Sequence, residues 1–208
     1  PGPVGTFFLL TSHSENKKGK TPPARRQLLH LALDGRALKV LAMLDLSRDV
    51  EGPGLLGTAG VTGPLDLEAV GFHDGRLLLG LKSPLSASGA ATLLAIDRPL
   101  DALKRGRVLA SELRVALQPR LCVETKAGPV CQGITDLAFL ADGSLVLAAN
   151  APKAGPPDGG GALWRLRAPF GPKPSPPELL RRFEGLKPEG LAPMPDGRSL
   201  RVVFDRGA

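Results

Sequence analysis

An Asp-Gly pair recurs three times in this chain, each time between two short apolar runs. Residues 67–82, 135–150 and 188–205 line up on it. Each segment carries an acid near its start (Glu68, Asp136, Glu189) and reaches Asp-Gly six or seven residues later (Asp74-Gly75, Asp142-Gly143, Asp196-Gly197). A second apolar run then closes on a polar residue (Lys82, Asn150, Asp205). Asp-Gly in that setting marks a β-hairpin, because tight hairpin turns place central residues at positive φ. Each segment is therefore read as two antiparallel strands, A and B.

The stretch after each hairpin repeats as well. A Gly/Pro/Ser-rich loop leads to a third strand, C, at 91–96 and again at 162–167. A fourth, D, is expected within 107–115 and at 178–183. The N-terminal part enters the same pattern in its middle: residues 6–11 read as B, 27–33 as C and 38–46 as D, with Asp34-Gly35 turning between the last two. Tandem four-stranded antiparallel units are the blades of a β-propeller. The expected fold is thus all-β, one propeller domain over 1–208, with blade parts 1–60, 61–131, 132–184 and 185–208. An all-β sandwich with coincidental hairpins is the alternative. The acids recur after 68 and then 53 residues, longer than the ~40–50 of ordinary blades, so the loops carry insertions. Because the pattern opens and stops in mid-blade, more propeller is expected to precede Pro1 or to come from a second chain.

Composition narrows the function classes. Twenty-six glycines and 21 prolines among 208 residues argue for short elements joined by turns; one helical turn is expected at 101–105. No apolar run reaches the ~18 residues of a membrane span. The net charge is +7, yet there is no Tyr, one Trp and seven Phe, little stacking surface for single-stranded nucleic acid. Residues 52–57 match G-x-G-x-x-G by letters, but no βαβ unit surrounds them. Gly19-Lys20-Thr21 ends like a P-loop, but Pro22-Pro23 blocks the helix that must come next.

The blade path places a site. Strand A leaves one face and B returns to it, so A starts and B ends meet there, nearest the central channel. Glu68, Asp136 and Glu189 should ring the channel mouth, with Lys82, Asn150, Asp205 and, by the same register, His13 beside them. Carboxylates converging this way suit a divalent cation such as Ca²⁺; equally, such acids cap turns or bond neighbouring blades, and Lys82 could be their internal counter-ion. Residues 12–26 hold five basic side chains, Arg25 and Arg26 among them, and belong to the same face, where they would hold an anion or form a solvated loop. The two cysteines, Cys122 and Cys131, suit a local disulfide and hence an oxidising compartment, periplasmic or secreted; two free thiols are the alternative.

Several of these segments resemble an uncharacterised bacterial β-propeller family, a domain of unknown function with a Gly-Ser-His-Ser segment followed by a basic loop. Thr11-Ser12-His13-Ser14, the run ending in Arg25-Arg26, Glu68-Ala69-Val70-Gly71, residues 78–84, 133–137, 162–164 and 188–192 carry the resemblance, in the family's order. Thr11 stands where Gly is usual and Lys82 where Arg is usual, which would weaken bidentate anion binding. The family is similar to esterase-like phytase propellers. That neighbourhood implies calcium and hydrolysis of a phosphoester or ester, with Glu68, Asp136, Glu189 and Asp205 as metal ligands and His13, Arg25, Arg26, Lys82 and Asn150 holding an anionic substrate. A non-catalytic ligand-binding or protein-interaction propeller is the alternative, since fold does not fix function.

Overall fold

In a computed structural model, which describes residues 2–3, 5–12, 16, 18–46, 60–151, 160–171, 175–196 and 199–205, the chain is mostly β. Its strands form antiparallel sheets that succeed one another in chain order. The first contains β1 (Thr6–Leu10), β2 (Gln27–Asp34) and β3 (Ala37–Asp45). The second contains β4 (Asp66–His73), β5 (Arg76–Ser83), β6 (Leu93–Ile96) and β7 (Leu113–Leu117). A two-stranded hairpin, β8 (Cys122–Thr125) and β9 (Gly128–Cys131), comes next. The third large sheet contains β10 (Gly133–Phe139), β11 (Leu145–Asn150), β12 (Gly161–Leu166) and β13 (Glu178–Phe183). The last pair is β14 (Lys187–Pro193) and β15 (Leu200–Asp205). In both four-stranded sheets the spatial order equals the sequence order, as expected for A-B-C-D meanders.

The apolar periodicity explains how the sheets stack. Side chains alternate across a strand, and β5 is apolar on both faces. Its Leu77, Leu79 and Leu81 join one core with Phe8, Leu28 and Leu44 of the first sheet. Its Leu78 faces a second core with Ile134, Leu137, Leu147 and Trp164 of the third large sheet. The second sheet is thus covered on both sides. The first strands of successive sheets also lie together: β4 packs against β1 and β10, and β10 packs against β14. Close approach requires glycine where a strand start abuts the neighbouring sheet. A Cβ on Gly133, at the start of β10, would lie 1.7 Å from the Lys82 carbonyl oxygen; one on Gly161, at the start of β12, would lie 2.1 Å from Pro188 Cδ.

Three local details depart from the expectation. The fourth strand of the second sheet begins at Leu113, not within 107–112. The preceding stretch is occupied by helix α1 (Pro99–Arg105), started by Pro99 and ended by Gly106 in the left-handed region, and by a 3-10 turn at Ala110–Glu112. The buried Glu112 carboxylate pins that stretch, pairing with Arg98 at 3.1 Å and with Arg105, and accepting the Leu109 amide. Second, residues 122–131 form a hairpin in which Cys122 lies directly opposite Cys131, and the two are joined in the expected disulfide. Closing that ten-residue loop stabilises by roughly 2.7 kcal/mol in the chain-entropy treatment. Third, the turn between β2 and β3 centres on Gly35 and Arg36, since Asp34 still pairs with Ala37.

No helix among the described residues is long and apolar enough to cross a membrane. The sheet contact at Gly133 is rigid on both sides, so a methyl group cannot be absorbed by a rotamer change. Gly133→Ala should destabilise by about 3 kcal/mol, the upper end for overpacking, as read from urea unfolding. A loss below about 1 kcal/mol would show that β10 can move away from β5.

Candidate functional site

The first strand of each Asp-Gly hairpin carries a β-bulge near its start. In β4 the pairing with β5 skips from Leu67 to Ala69; in β10 it skips from Ile134 to Asp136; in β14 it skips from Pro188 to Gly190. The residues left at the bulges are Glu68, Thr135 and Glu189. On the partner strands, one step beyond Leu81, Ala149 and Phe204, stand Lys82, Asn150 and Asp205. A bulge re-aims a side chain by bending its strand, and here two of the three re-aimed side chains are acids.

The geometry at that level is compact. Lys82 Nζ lies 2.8 Å from Glu68 Oε2 and 3.6 Å from Glu189 Oε1. The three side chains are 20%, 19% and 27% exposed. Asn150, which is buried, donates from Nδ2 to Glu189 Oε1 at 2.8 Å and to the Pro188 carbonyl at 3.2 Å. The Thr135 hydroxyl donates to the same carbonyl at 2.7 Å. Thus the second sheet, the third large sheet and the β14–β15 pair meet around one ammonium. At the edge of the cluster Ser12 donates from Oγ to Asp66 Oδ1 at 3.5 Å, which joins the end of β1 to the start of β4.

Burial and charge act in opposite directions here. Burial pushes the Glu68 carboxyl above its ordinary range; Lys82 offsets part of this, and the negative charge of Glu189 adds to it. Burial pulls Lys82 down, but Glu68, Glu189 and Asp66 outweigh it and hold the ammonium above its ordinary value. Lys82 therefore stays charged in the neutral range and serves as the counter-ion of the pair.

The remaining residues expected at the site occupy other places. Asp136 stands one residue beyond the bulge, in register with Ala69 and Gly190 instead of with Glu68 and Glu189. Its carboxylate accepts the Leu137 amide at 2.8 Å and the Leu191 amide at 2.6 Å, tying β10 to β14. Asp205 ends β15 opposite Lys187. Arg25 closes a short 3-10 turn, Pro23–Arg25, and Arg26 lies 3.6 Å from Asp45, both just before β2. His13 lies outside the described residues, as do residues 52–57. The sequence repeat does not point to Ser12, Asp66 or Thr135. The alternation of Asp66 with Glu68 is a signal for the former acid; Thr135 carries no charge and leaves none.

Among the described residues no group of three or more His, Cys, Asp or Glu side chains is arranged to hold a metal ion. Glu68 and Glu189 could reach a cation only in competition with Lys82. Comparison with models of known protein families, with curated proteins and with solved structures finds no match.

If Lys82 neutralises the two acids, Lys82→Met should destabilise the protein by about 1–3 kcal/mol, between the values for exposed and fully buried pairs. Adding Glu68→Gln and Glu189→Gln to it should restore most of the loss. Thermal and urea unfolding read both, and an unchanged stability in Lys82→Met would remove the counter-ion role.

Proposed function

We propose that this chain is part of an extracytoplasmic β-propeller that works as a binding or interaction module without catalysing a reaction. The propeller reading is supported by the meander order of the sheets and by the run of adjacent first strands, β4, β10 and β14. The disulfide supports the oxidising compartment. The observation that carries the non-catalytic reading is the position of Lys82 between Glu68 and Glu189: the acids that would hold a metal already have a cation. The basic segment before β2, with Lys18, Lys20, Arg25 and Arg26, adjoins the cluster through the end of β1 and gives the face an affinity for an anionic ligand.

A second reading is favoured by one count. Asp66, Glu68 and Glu189 act on Lys82 together, so three carboxylates lie within electrostatic reach of one position. A divalent cation displacing Lys82 would there polarise a phosphoryl oxygen and activate water, a phosphoesterase chemistry. This agrees with the resemblance to the phytase-like propellers.

Calcium separates the two readings. A site with a Kd of about 10 µM would, at 1 mM calcium, add about 2.7 kcal/mol and raise the melting temperature by roughly 5–10 °C in a chain of this size. The binding-module reading expects no such shift and no calcium-dependent turnover of p-nitrophenyl phosphate. A clear rise in melting temperature, abolished by Glu189→Gln, would replace it with the metal reading.

A further inference from the structure

We propose that two copies of this chain associate head to tail, the β14–β15 pair of each covering the exposed face of the first sheet of the other. This pairing rests on the propeller reading above and supplies the sheets that would complete the ring. The exposed face is built by strand register. Leu33 stands beside Leu38, Leu31 beside Val40, and Leu9 and Leu29 beside Met43. Side chains alternate across a strand, and Phe8, Leu28 and Leu44 take the opposite face, buried in the core shared with the second sheet. Leu9, Leu33, Leu38, Val40 and Met43 are between 41% and 62% exposed. No charged side chain enters these rows until Gln27 meets Asp45 at their end. Contiguous apolar surface of this kind marks an interaction site.

The stack has a direction, and that direction selects what covers the face. Each sheet meets its predecessor with one side and its successor with the other. In the second sheet Leu77, Leu79 and Leu81 meet the first sheet. On its other side Gly80 meets the third large sheet, so closely that a Cβ there would lie 2.7 Å from Ile134 Cγ2. The exposed side of the first sheet is therefore the predecessor-facing one, and it needs a successor-facing side against it. Among the described residues the uncovered successor-facing side belongs to the β14–β15 pair. Val202 and Phe204 of β15 line one cavity with Leu163 and Phe183 of the third large sheet. Alternation turns Val203 the other way, and it is 60% exposed. Val203 pairs with Gly190 one step past the bulge, as Gly80 pairs with Ala69. It thus holds the place of Gly80, the residue that meets the next sheet.

A second copy supplies what each end lacks. Its β14–β15 pair brings a successor-facing side to the first sheet, and its own first sheet receives Val203 in turn. The contact continues the interface already made between successive sheets inside the chain. Two first sheets pressed together would instead join two predecessor-facing sides, a contact the described stack does not contain. The number of copies follows from ring size. The three large sheets and the β14–β15 pair give four members of the stack per copy, so two copies give eight, within the roughly four to eight blades of closed propellers. Three copies would exceed that range. Two-fold symmetry then uses the same contact twice and leaves neither end uncovered.

The test is the mass in solution, by light scattering on gel filtration, of the wild type, Met43→Glu and Val203→Glu. At about 100 µM, ten-fold above a 10 µM Kd, the wild type should run at twice the chain mass. Each substitution puts a charge into the centre of one side of the contact and should weaken dimerisation at least ~10-fold, leaving monomer. Both side chains are exposed, so circular dichroism should not change; if either variant does not fold, lysine at the same position takes its place. A monomeric wild type, an assembly larger than a dimer, or a dimer that survives either substitution would overturn the proposal. The outcomes also separate it from the reading it rests on. A monomer removes the second copy and leaves the propeller reading standing. A dimer lost in Met43→Glu but kept in Val203→Glu places the two first sheets face to face and removes the ring as well.

Discussion

A bulge near the start of β4, β10 and β14 sets the arrangement of the whole polar face. Without it, strict alternation would carry Glu68 and Glu189 in step with their neighbours along each strand. With it, both turn toward the level where β5 and β11 end, and Lys82 and Asn150 wait there. The sheets can converge this closely because Gly133 abuts the Lys82 backbone and Gly161 abuts the Pro188 ring. Glycine at the contact, bulge in the strand and polar residue at the strand end form one device, repeated from sheet to sheet. The variation lies in the side chains it presents: Glu and Lys, then Thr and Asn, then Glu and Asp.

That variation divides the carboxylates into two electrostatic kinds. Glu68 and Glu189 are half-buried and share an ammonium that three acids keep protonated. Asp136 is fixed by two backbone amides. By contrast, the exposed Asp142 at the β10–β11 turn is held down to about 2, first by hydrogen bonds from Ser144 and then by Arg165 at 2.5 Å. A pair of acids sharing an ammonium, an acid oriented by backbone amides, and a solvated turn acid lie within one repeat pattern. Charge count alone would treat them alike.

Much of this is legible in the amino-acid sequence, and the misses have physical causes. Hairpins announced by Asp74-Gly75, Asp142-Gly143 and Asp196-Gly197 all form, and the C and D strands of the third large sheet fall where expected. The meeting of Glu68, Glu189, Lys82 and Asn150 follows from the meander path alone. Spacing counted back from Asp-Gly puts Asp136 in the wrong column. Only two residues separate His73 from Arg76, whereas five separate Phe139 from Leu145. The longer turn moves the bulge to Thr135, and a sequence repeat cannot see that shift. Pairing of Lys82 with the acids is legible as one of two alternatives, and Lys82 lies at ion-pair distance from both glutamates. The Glu112 anchor leaves no periodic signal, because its partners Arg98 and Arg105 reach it from an inserted loop and helix.

The role of Lys82 as internal counter-ion of the two glutamates is open to direct measurement, by ¹³C NMR titration of the Glu68 carboxyl in the wild type and in Lys82→Met. In the wild type Glu68 should titrate above ordinary glutamates, because burial outweighs the help it receives. Its folded-state pKa then exceeds the unfolded value, so its contribution to stability is present at low pH and is lost as pH rises through the folded-state pKa. Removing the ammonium should raise that pKa further and deepen the loss at neutral pH. A Glu68 titration that is the same in both proteins would contradict the counter-ion role.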